Sequence, residues 1–537
     1  VLHGGIAAAS LTSEASVFID KSLAQSETDR FRKARFPIPA KLQIFLLRKP
    51  QIFAILSIAA KPQFIVKSRQ IMIFPVSRQL MQFDVFPKVV TAQKEVTIRV
   101  RSIGKMRFNT EGAHAVEIFG LDDGDPVNYP AASARSACRV TATPEDDTTL
   151  VFTHTFPAEQ EYFIRLLDRA GNCYERLSVY CVDEDLAGRY PYRGDLHLHS
   201  CRSDGDDLPA LVASDYRAYG YDFLALTDHC RYYPSLEAMD FCRGIKTGLL
   251  CVPGEEVHLP GDGKWHLEQH IVNFGGTYSI NALLDGEAIR EKGEDPVFRS
   301  LDGKCPPVMT LDTFHEMIEQ KAAQLDIPDR IDPISYATAK WVYEEIRKAD
   351  GLAIFAHPNW ITQTYHTPEN LSDLFVKNHD FDAFEVLGGE RYNQQNGFQT
   401  YRYYEDRANG YRYPIVGSTD SHCSCPTNIG GQICSTVVFS KEKERKAIIS
   451  AIKDFYSVAV DTISAEFRLV GEARLCRYTD FLVREYFPIH DSACCEEGRM
   501  MRQFATGTAE EKEQAARVLE ALDGRTDRLL HKYFAFA

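Results

Sequence analysis

The sequence predicts an α/β fold built on a central barrel or sheet, and three observations carry that prediction. Between residue 190 and about residue 462, seven short apolar runs each end in polar residues, at 195–199, 223–229, 249–257, 270–276, 352–357, 383–389 and 414–422. Helical patterns fall between several of them, at 208–219, 311–323, 337–348 and 399–409. Strands alternating with helices build parallel sheets or barrels. Histidines and acids collect at the ends of these runs, and barrel enzymes place their chemistry at strand ends. Seven strands suit a closed but irregular barrel, with an open sheet as the alternative.

At 537 residues the chain exceeds one simple domain, and length alone suggests about three or four units. Residues 1–80 carry Ser, Ala and Gln tracts followed by an apolar, basic stretch without clear period. They are expected to be an extension or a misassigned start, with the folded part opening at Met81. From 81 to 188 short alternating runs recur, at 96–101, 115–119, 162–167 and 177–182, with a turn signal at 168–172. That pattern predicts a small β-sandwich. The catalytic unit is expected over 189–462. Within it, 277–350 is long for one connection and is expected to be an insertion over the site's mouth. From 463 to 537 helical patterns at 482–487, 509–522 and 525–533 predict a helical C-terminal extension, serving as a cap or an oligomer surface.

A formal net charge of −14 argues against a nucleic-acid partner, since phosphate-backbone binding needs clustered Lys and Arg. It leaves open a small phosphorylated substrate held by cations. The fourteen cysteines are scattered and form no Cys-x-x-Cys pair, so free thiols in a reducing compartment are expected, not a zinc ribbon or a disulfide framework. No apolar run approaches the ~20 residues of a spanning helix. The longest, 52–60, is flanked by Arg48, Lys49, Pro50 and Lys61. A cytoplasmic protein without a membrane partner is therefore expected.

The chemistry begins at Asp195-Leu-His-Leu-His-Ser. Side chains two apart on a strand point to one face, so His197 and His199 can reach one metal ion. Alone, a His-x-His is more often structural. Its companions decide the matter: Asp204 in Ser-Asp-Gly, His229 closing Thr-Asp-His, Glu256 in Gly-Glu-Glu-Val, His270 opening its run, His357 in Ala-His-Pro, and Asp420 and His422 in Thr-Asp-Ser-His. Six imidazoles and three carboxylates without thiolate suit Zn, Mn or Fe. Glu255 is an alternative to Glu256, and His266 to His270. Arg202 and Arg231 adjoin the motifs and are candidate anchors for a substrate anion. His258, Trp360 and His366 flank the mouth without an assigned role.

These motifs together resemble the PHP (polymerase and histidinol phosphatase) family over 190–462, and the β-domain in front resembles its carbaryl hydrolase-like branch. The resemblance implies a distorted seven-stranded β/α barrel with two or three divalent ions. One ion would take His197, His199, Glu256 and Asp420. A second would share Glu256 and add His270 and His357. A third would take Asp204, His229 and His422. The expected activity is metal-dependent hydrolysis of a small phosphorylated ester, with Asp420 orienting the nucleophile and His229 supporting the leaving oxygen. A carboxylic or carbamate ester is the alternative substrate, and a metal-stabilised binding module the alternative to an enzyme.

Overall fold

The computed structural model describes residues 82–123, 138–260, 265, 267, 269–284, 299–361, 363–389, 395–424, 434–462 and 467–536. The extension expected at 1–80 lies outside them. Eight strands come first: β1 (Phe83–Phe86), β2 (Val89–Thr91), β3 (Glu95–Ser102), β4 (His114–Gly120), β5 (Cys138–Pro144), β6 (Thr149–Thr155), β7 (Gln160–Leu167) and β8 (Cys173–Val182). They form one sheet in the order β1-β3-β6-β5-β4-β7-β8-β2. β1 and β2 are nearly contiguous in the chain, yet β1 pairs with β3 at one edge and β2 with β8 at the other. The sheet therefore rolls up on itself into a nearly closed barrel, where two separate layers were expected. Alternate side chains such as Ile98, Val116, Ile118, Ile164 and Val179 fill its interior, as period-two patterning requires.

The second part uses β9 (Tyr190–Asp195), β10 (Phe223–Leu224), β11 (Leu250–Cys251), β12 (Gly254–Val257), β13 (Ile271–Phe274), β14 (Leu352–Phe355), β15 (Ala383–Leu387), β16 (Ile415–Gly417), β17 (Cys434–Ser440), β18 (Ser457–Asp461) and β19 (Arg468–Val470). Two sheets result, β11-β10-β9-β17-β18-β19 and β12-β13-β14-β15-β16. At one rim, backbone bonds stitch them together beyond the strand ends: Thr227 N to Leu198 O (2.8 Å), Glu256 N to Thr227 O (3.0 Å) and Asp420 N to His197 O (2.8 Å).

Three features depart from the sequence reading. β13 runs antiparallel to both neighbours, so the sheet is mixed. β17, β18 and β19 add antiparallel strands beyond the seven runs. β17 is buried at every position, which removes the alternation that would have marked it. β19 also lies in the stretch expected to be wholly helical.

The region 277–350 contributes helices Leu311–Gln324 and Pro333–Lys348. The second starts with Asp332 capping Ser335 N and Pro333 in the first turn, a favoured N-terminal pairing. It buries Tyr336, Trp341, Val342 and Ile346 in the core that holds Phe355 and Phe384. This half of the expected insertion packs into the core against the mixed sheet.

The C-terminal helices also pack into the core, with Phe481, Phe487 and Tyr533 in the cluster that holds Val272 and Ile354. Helix Phe487–Thr506 meets helix Pro209–Ala218 at Gly498, where an added Cβ would stand 2.2 Å from Ala218 N and 2.5 Å from Ser214 O. Only glycine permits that approach. Backbone bonds from Lys88 N to Tyr533 O (2.7 Å) and from Ala535 N to Val89 O (2.9 Å) then tie the C-terminal end to the β-domain. No helix among the described residues is long and apolar enough to cross a membrane.

Candidate metal centre

The site is built by turns at the stitched rim. β9 ends at Asp195, whose carboxylate accepts from His197 N (3.1 Å) and Thr419 N (3.2 Å). One buried acid thereby aligns the two loops that carry His197, His199 and Asp420. Burial pushes its pKa up to about 7, against those hydrogen bonds. Asp228 fixes the next turn by accepting from Ser200 N, Ser200 Oγ, Ser203 N and Ser203 Oγ at 2.8–3.0 Å. Gly205 closes that turn: a Cβ there would meet His199 O and Ser200 C at 2.9 Å. Its neighbour Asp204 is thus folded back toward the rim. His357 and Asp420 hold φ of 22° and 47°, a conformation that costs non-glycine residues energy and clusters at functional sites.

The nine predicted residues form one cluster, with Glu256 at the centre of most of its contacts. Its Oε1 is approached by His270 Nδ1 (2.6 Å), His258 Nε2 (3.6 Å) and His357 Nε2 (3.9 Å). Its Oε2 is approached by His229 Nδ1 (2.8 Å), His197 Nε2 (3.3 Å) and His199 Nε2 (3.5 Å). Asp420 Oδ1 lies 3.1 Å from His199 Nε2 and 3.3 Å from His197 Nε2. Asp204 Oδ2 lies 3.4 Å from both His229 Nε2 and His422 Nε2. Glu255 turns away and accepts from Ser279 Oγ (2.7 Å), Asn281 Nδ2 (3.0 Å) and Asn273 Nδ2 (3.1 Å). Of the two acids, Glu256 and not Glu255 is the one the imidazoles face, while His266 lies outside the described residues.

A divalent ion fits this arrangement. Glu256 is wholly buried, yet neither of its oxygens accepts a hydrogen bond despite six nearby ring nitrogens, and His197 Nε2 is likewise buried without a hydrogen-bond partner. Leaving such groups unsatisfied costs about 1–3 kcal/mol each, more when charged. Four groupings bring candidate donor atoms within 4.8 Å of one another around these acids: His199, Asp204, His229 and His422; His197, Glu256 and His357; His197, His199 and Asp420; and His229, Glu256 and His258.

The electrostatics agree. Burial alone would raise Glu256, but His270, His197 and His229 hold it well below the usual carboxylate range. Asp420 is likewise depressed, by His197 and His199 against burial. Burial lowers His199 to about 4 and His357 to about 3, leaving neutral rings suited to ligation. His229 is raised to about 9, because Glu256 and Asp204 outweigh its burial. A proton there stands where a cation would, and binding a cation would release it.

Glu385 was not anticipated. It sits mid-strand in β15, buried, with Oε2 2.9 Å from His197 Nδ1. An acid inside an apolar run was its only sequence signal. A carboxylate on the far nitrogen fixes the tautomer and directs Nε2 inward. Glu385→Gln is expected to weaken metal retention or turnover by roughly 10–100-fold, read by chelator competition and kcat/KM.

The two arginines separate. Arg202 pairs with Glu237 through Nε (3.0 Å) and Nη2 (2.8 Å), a bidentate clamp. Arg231 has no carboxylate partner among the described residues. Its Nη1 donates to Cys230 O (3.3 Å), and its buried Nε has no hydrogen-bond partner. Trp360 and His366 line the mouth, with ring centroids 6.0 and 4.2 Å from that of His270.

No family model matches the chain, and no curated protein matches it in sequence. Solved structures that match in fold include a two-domain protein containing a predicted PHP-like metal-dependent phosphoesterase from Bacteroides vulgatus. It is 16% identical, covers 51% of this chain and 65% of its own length, and gives a TM-score of 0.31. A protein assigned as a metal-dependent phosphoesterase from Bifidobacterium adolescentis is 18% identical over 43% of this chain and 87% of its own, with a TM-score of 0.27. An amidohydrolase from Chromobacterium violaceum, solved with sulfate and without metal, is 22% identical over the same shares, with a TM-score of 0.26.

Proposed function

We propose that the chain is a metal-dependent hydrolase. Within that class its reaction is the cleavage of a small phosphoester. The observation that carries the reading is Glu256, a buried carboxylate with three imidazole nitrogens facing each oxygen and no hydrogen bond to either.

Two or three divalent ions (Zn, Mn or Fe) would be held by His197, His199, Glu256 and Asp420, by Glu256, His270 and His357, and by Asp204, His229 and His422. They would supply Lewis acidity toward substrate oxygens and a lowered pKa for the attacking water. The side chains of Asp420 and His229 are 27% and 26% exposed, so both are reachable from solvent while standing among the residues that would hold the ions. Asp420, kept anionic, orients the attacking water, and His229 faces the leaving oxygen from the Asp204 side. Arg231 holds the non-reacting phosphoryl oxygens, a role that Arg202, clamped by Glu237, does not fill.

Elemental analysis with a panel of phosphomonoesters, phosphodiesters and arylcarbamates tests the reading. Arg231→Ala should cost roughly 10–100-fold on phosphoesters, the worth of a charged hydrogen bond of about 1.5–3 kcal/mol, and little on neutral esters. Trp360 beside His270 favours the second reading, a carboxylic or carbamate ester with an aryl group. Hydrolysis of neutral arylesters and of no phosphoester would establish that one instead. Bound metal with no hydrolysis across the panel would leave a binding module.

A further inference from the structure

We propose that His258 is a fourth protein ligand of the ion on the Oε1 side of Glu256, beside His270 and His357. The proposal rests on the metal-centre reading above and deepens it.

Position comes first. His258 follows Glu256 by two residues at the end of β12, so both side chains leave the same face of the strand. The two residues are also fixed together. Asn281 Oδ1 accepts from His258 N (3.0 Å), while its Nδ2 reaches Glu256 O (3.3 Å) and Glu255 Oε2 (3.0 Å). This asparagine therefore locks the strand end that presents both donors. His258 Nε2 lies 3.6 Å from Glu256 Oε1 and 2.9 Å from His229 Nδ1, and its ring centroid is 4.6 Å from that of His270.

Ligand numbers point the same way. The Oε2 side has Glu256, His197, His199 and Asp420, which makes four protein donors. Without His258 the Oε1 side has only Glu256, His270 and His357. His229 does not supply the missing donor, because its Nε2 faces Asp204 and His422 while its Nδ1 faces Glu256 Oε2. His258 completes a set of three imidazoles and one carboxylate, the number that fills a tetrahedral zinc site. A filled set leaves no open position on that ion. Water and substrate would then be taken at the side bordered by Asp420 and by His422, which is 40% exposed.

The test uses the full chain and reads metal binding directly. Parent and His258→Ala are loaded with Zn²⁺, freed of excess, and compared by elemental analysis and by titration against a chromophoric chelator. The visible spectra of their Co²⁺ forms report the ligand set independently. The expected result is the loss of about one ion, or one class of ion weakened by at least ~10-fold, with the remainder unchanged and free imidazole restoring the lost binding. Should the alanine variant fail to fold, His258→Gln keeps volume and polarity but is a far poorer ligand, and the same result is expected. Superimposable chelator curves and Co²⁺ spectra for a folded variant overturn the proposal while leaving the metal centre intact. A parent chain that binds no divalent ion overturns both.

Discussion

Glu256→Gln should purify with its ions lost or strongly depleted and with kcat/KM lowered by roughly a thousandfold or more. The charge of Glu256 is what allows six imidazole nitrogens to gather in a buried space. An ion's electrostatic contribution to a transition state is worth several kcal/mol, and each 1.36 kcal/mol is tenfold in rate. Glutamine keeps the shape, so circular dichroism should be unchanged. Glu255→Gln is the contrasting variant. Its neighbours Ser279, Asn273 and Asn281 bind the carboxylate as a structural acceptor, so stability should fall while metal content survives. Elemental analysis and a urea midpoint on both variants separate the roles. Full metal content and normal turnover in Glu256→Gln would sink the assignment of the bridging carboxylate.

The site was largely legible because its residues announce themselves by position. All but Asp204, which sits in the turn after the first run, stand at or near an end of an apolar run, and rim geometry brings those ends together. His270 is instructive. It precedes its strand where most of the others follow theirs, and the structure reconciles the two by running β13 antiparallel. The orientation of that strand could thus have been inferred from the ligand alone. Glu385 was less legible, because it acts through His197 from mid-strand and belongs to no motif. The ion pair of Arg202 was not legible either, because its partner Glu237 lies on a helix, Tyr233–Arg243, whose face toward the rim cannot be told from spacing. In the fold, β17 escaped notice through being buried on both faces, and the C-terminal helices read as an appendage. Their anchoring residues are a glycine and buried charges, which carry no periodic signal.

Those buried charges make the second strong prediction, at the start of β10 and so at the opposite strand ends from the candidate metal centre. Arg217 is fully buried on helix Pro209–Ala218. It donates to Asp222 Oδ1 (3.2 Å), Tyr221 O (3.0 Å), Glu497 Oε2 (3.0 Å) and Thr526 Oγ1 (3.3 Å). His490 Nε2 meets Asp222 Oδ1 at 2.9 Å, and Arg193 Nη2 meets Asp491 Oδ1 at 2.8 Å. Arg193, Arg217 and His490 thus face Asp222, Asp491 and Glu497, joining the start of β10 to helix Phe487–Thr506 with charges matched. Removing one member strands its partners in a dry interior. Arg217→Met should therefore cost about 3–5 kcal/mol of stability, while turnover per folded molecule stays near that of the parent. The network also predicts a pH signature. Burial opposes charge on His490, but Asp222 raises its pKa well above the ordinary 6.5. Its contribution is complete below 6.5 and is lost as pH rises through the folded value. Burial likewise opposes charge on Asp222, but His490 and Arg217 depress its pKa below the ordinary 3.8. That contribution is present above 3.8 and is lost only as pH falls through the depressed value. The gap in urea midpoint between the parent and His490→Gln should accordingly be widest near about pH 6 and narrow toward about pH 9. A gap that stays constant across that range would mean His490 is neutral in the folded protein, and the network would then carry one uncompensated carboxylate.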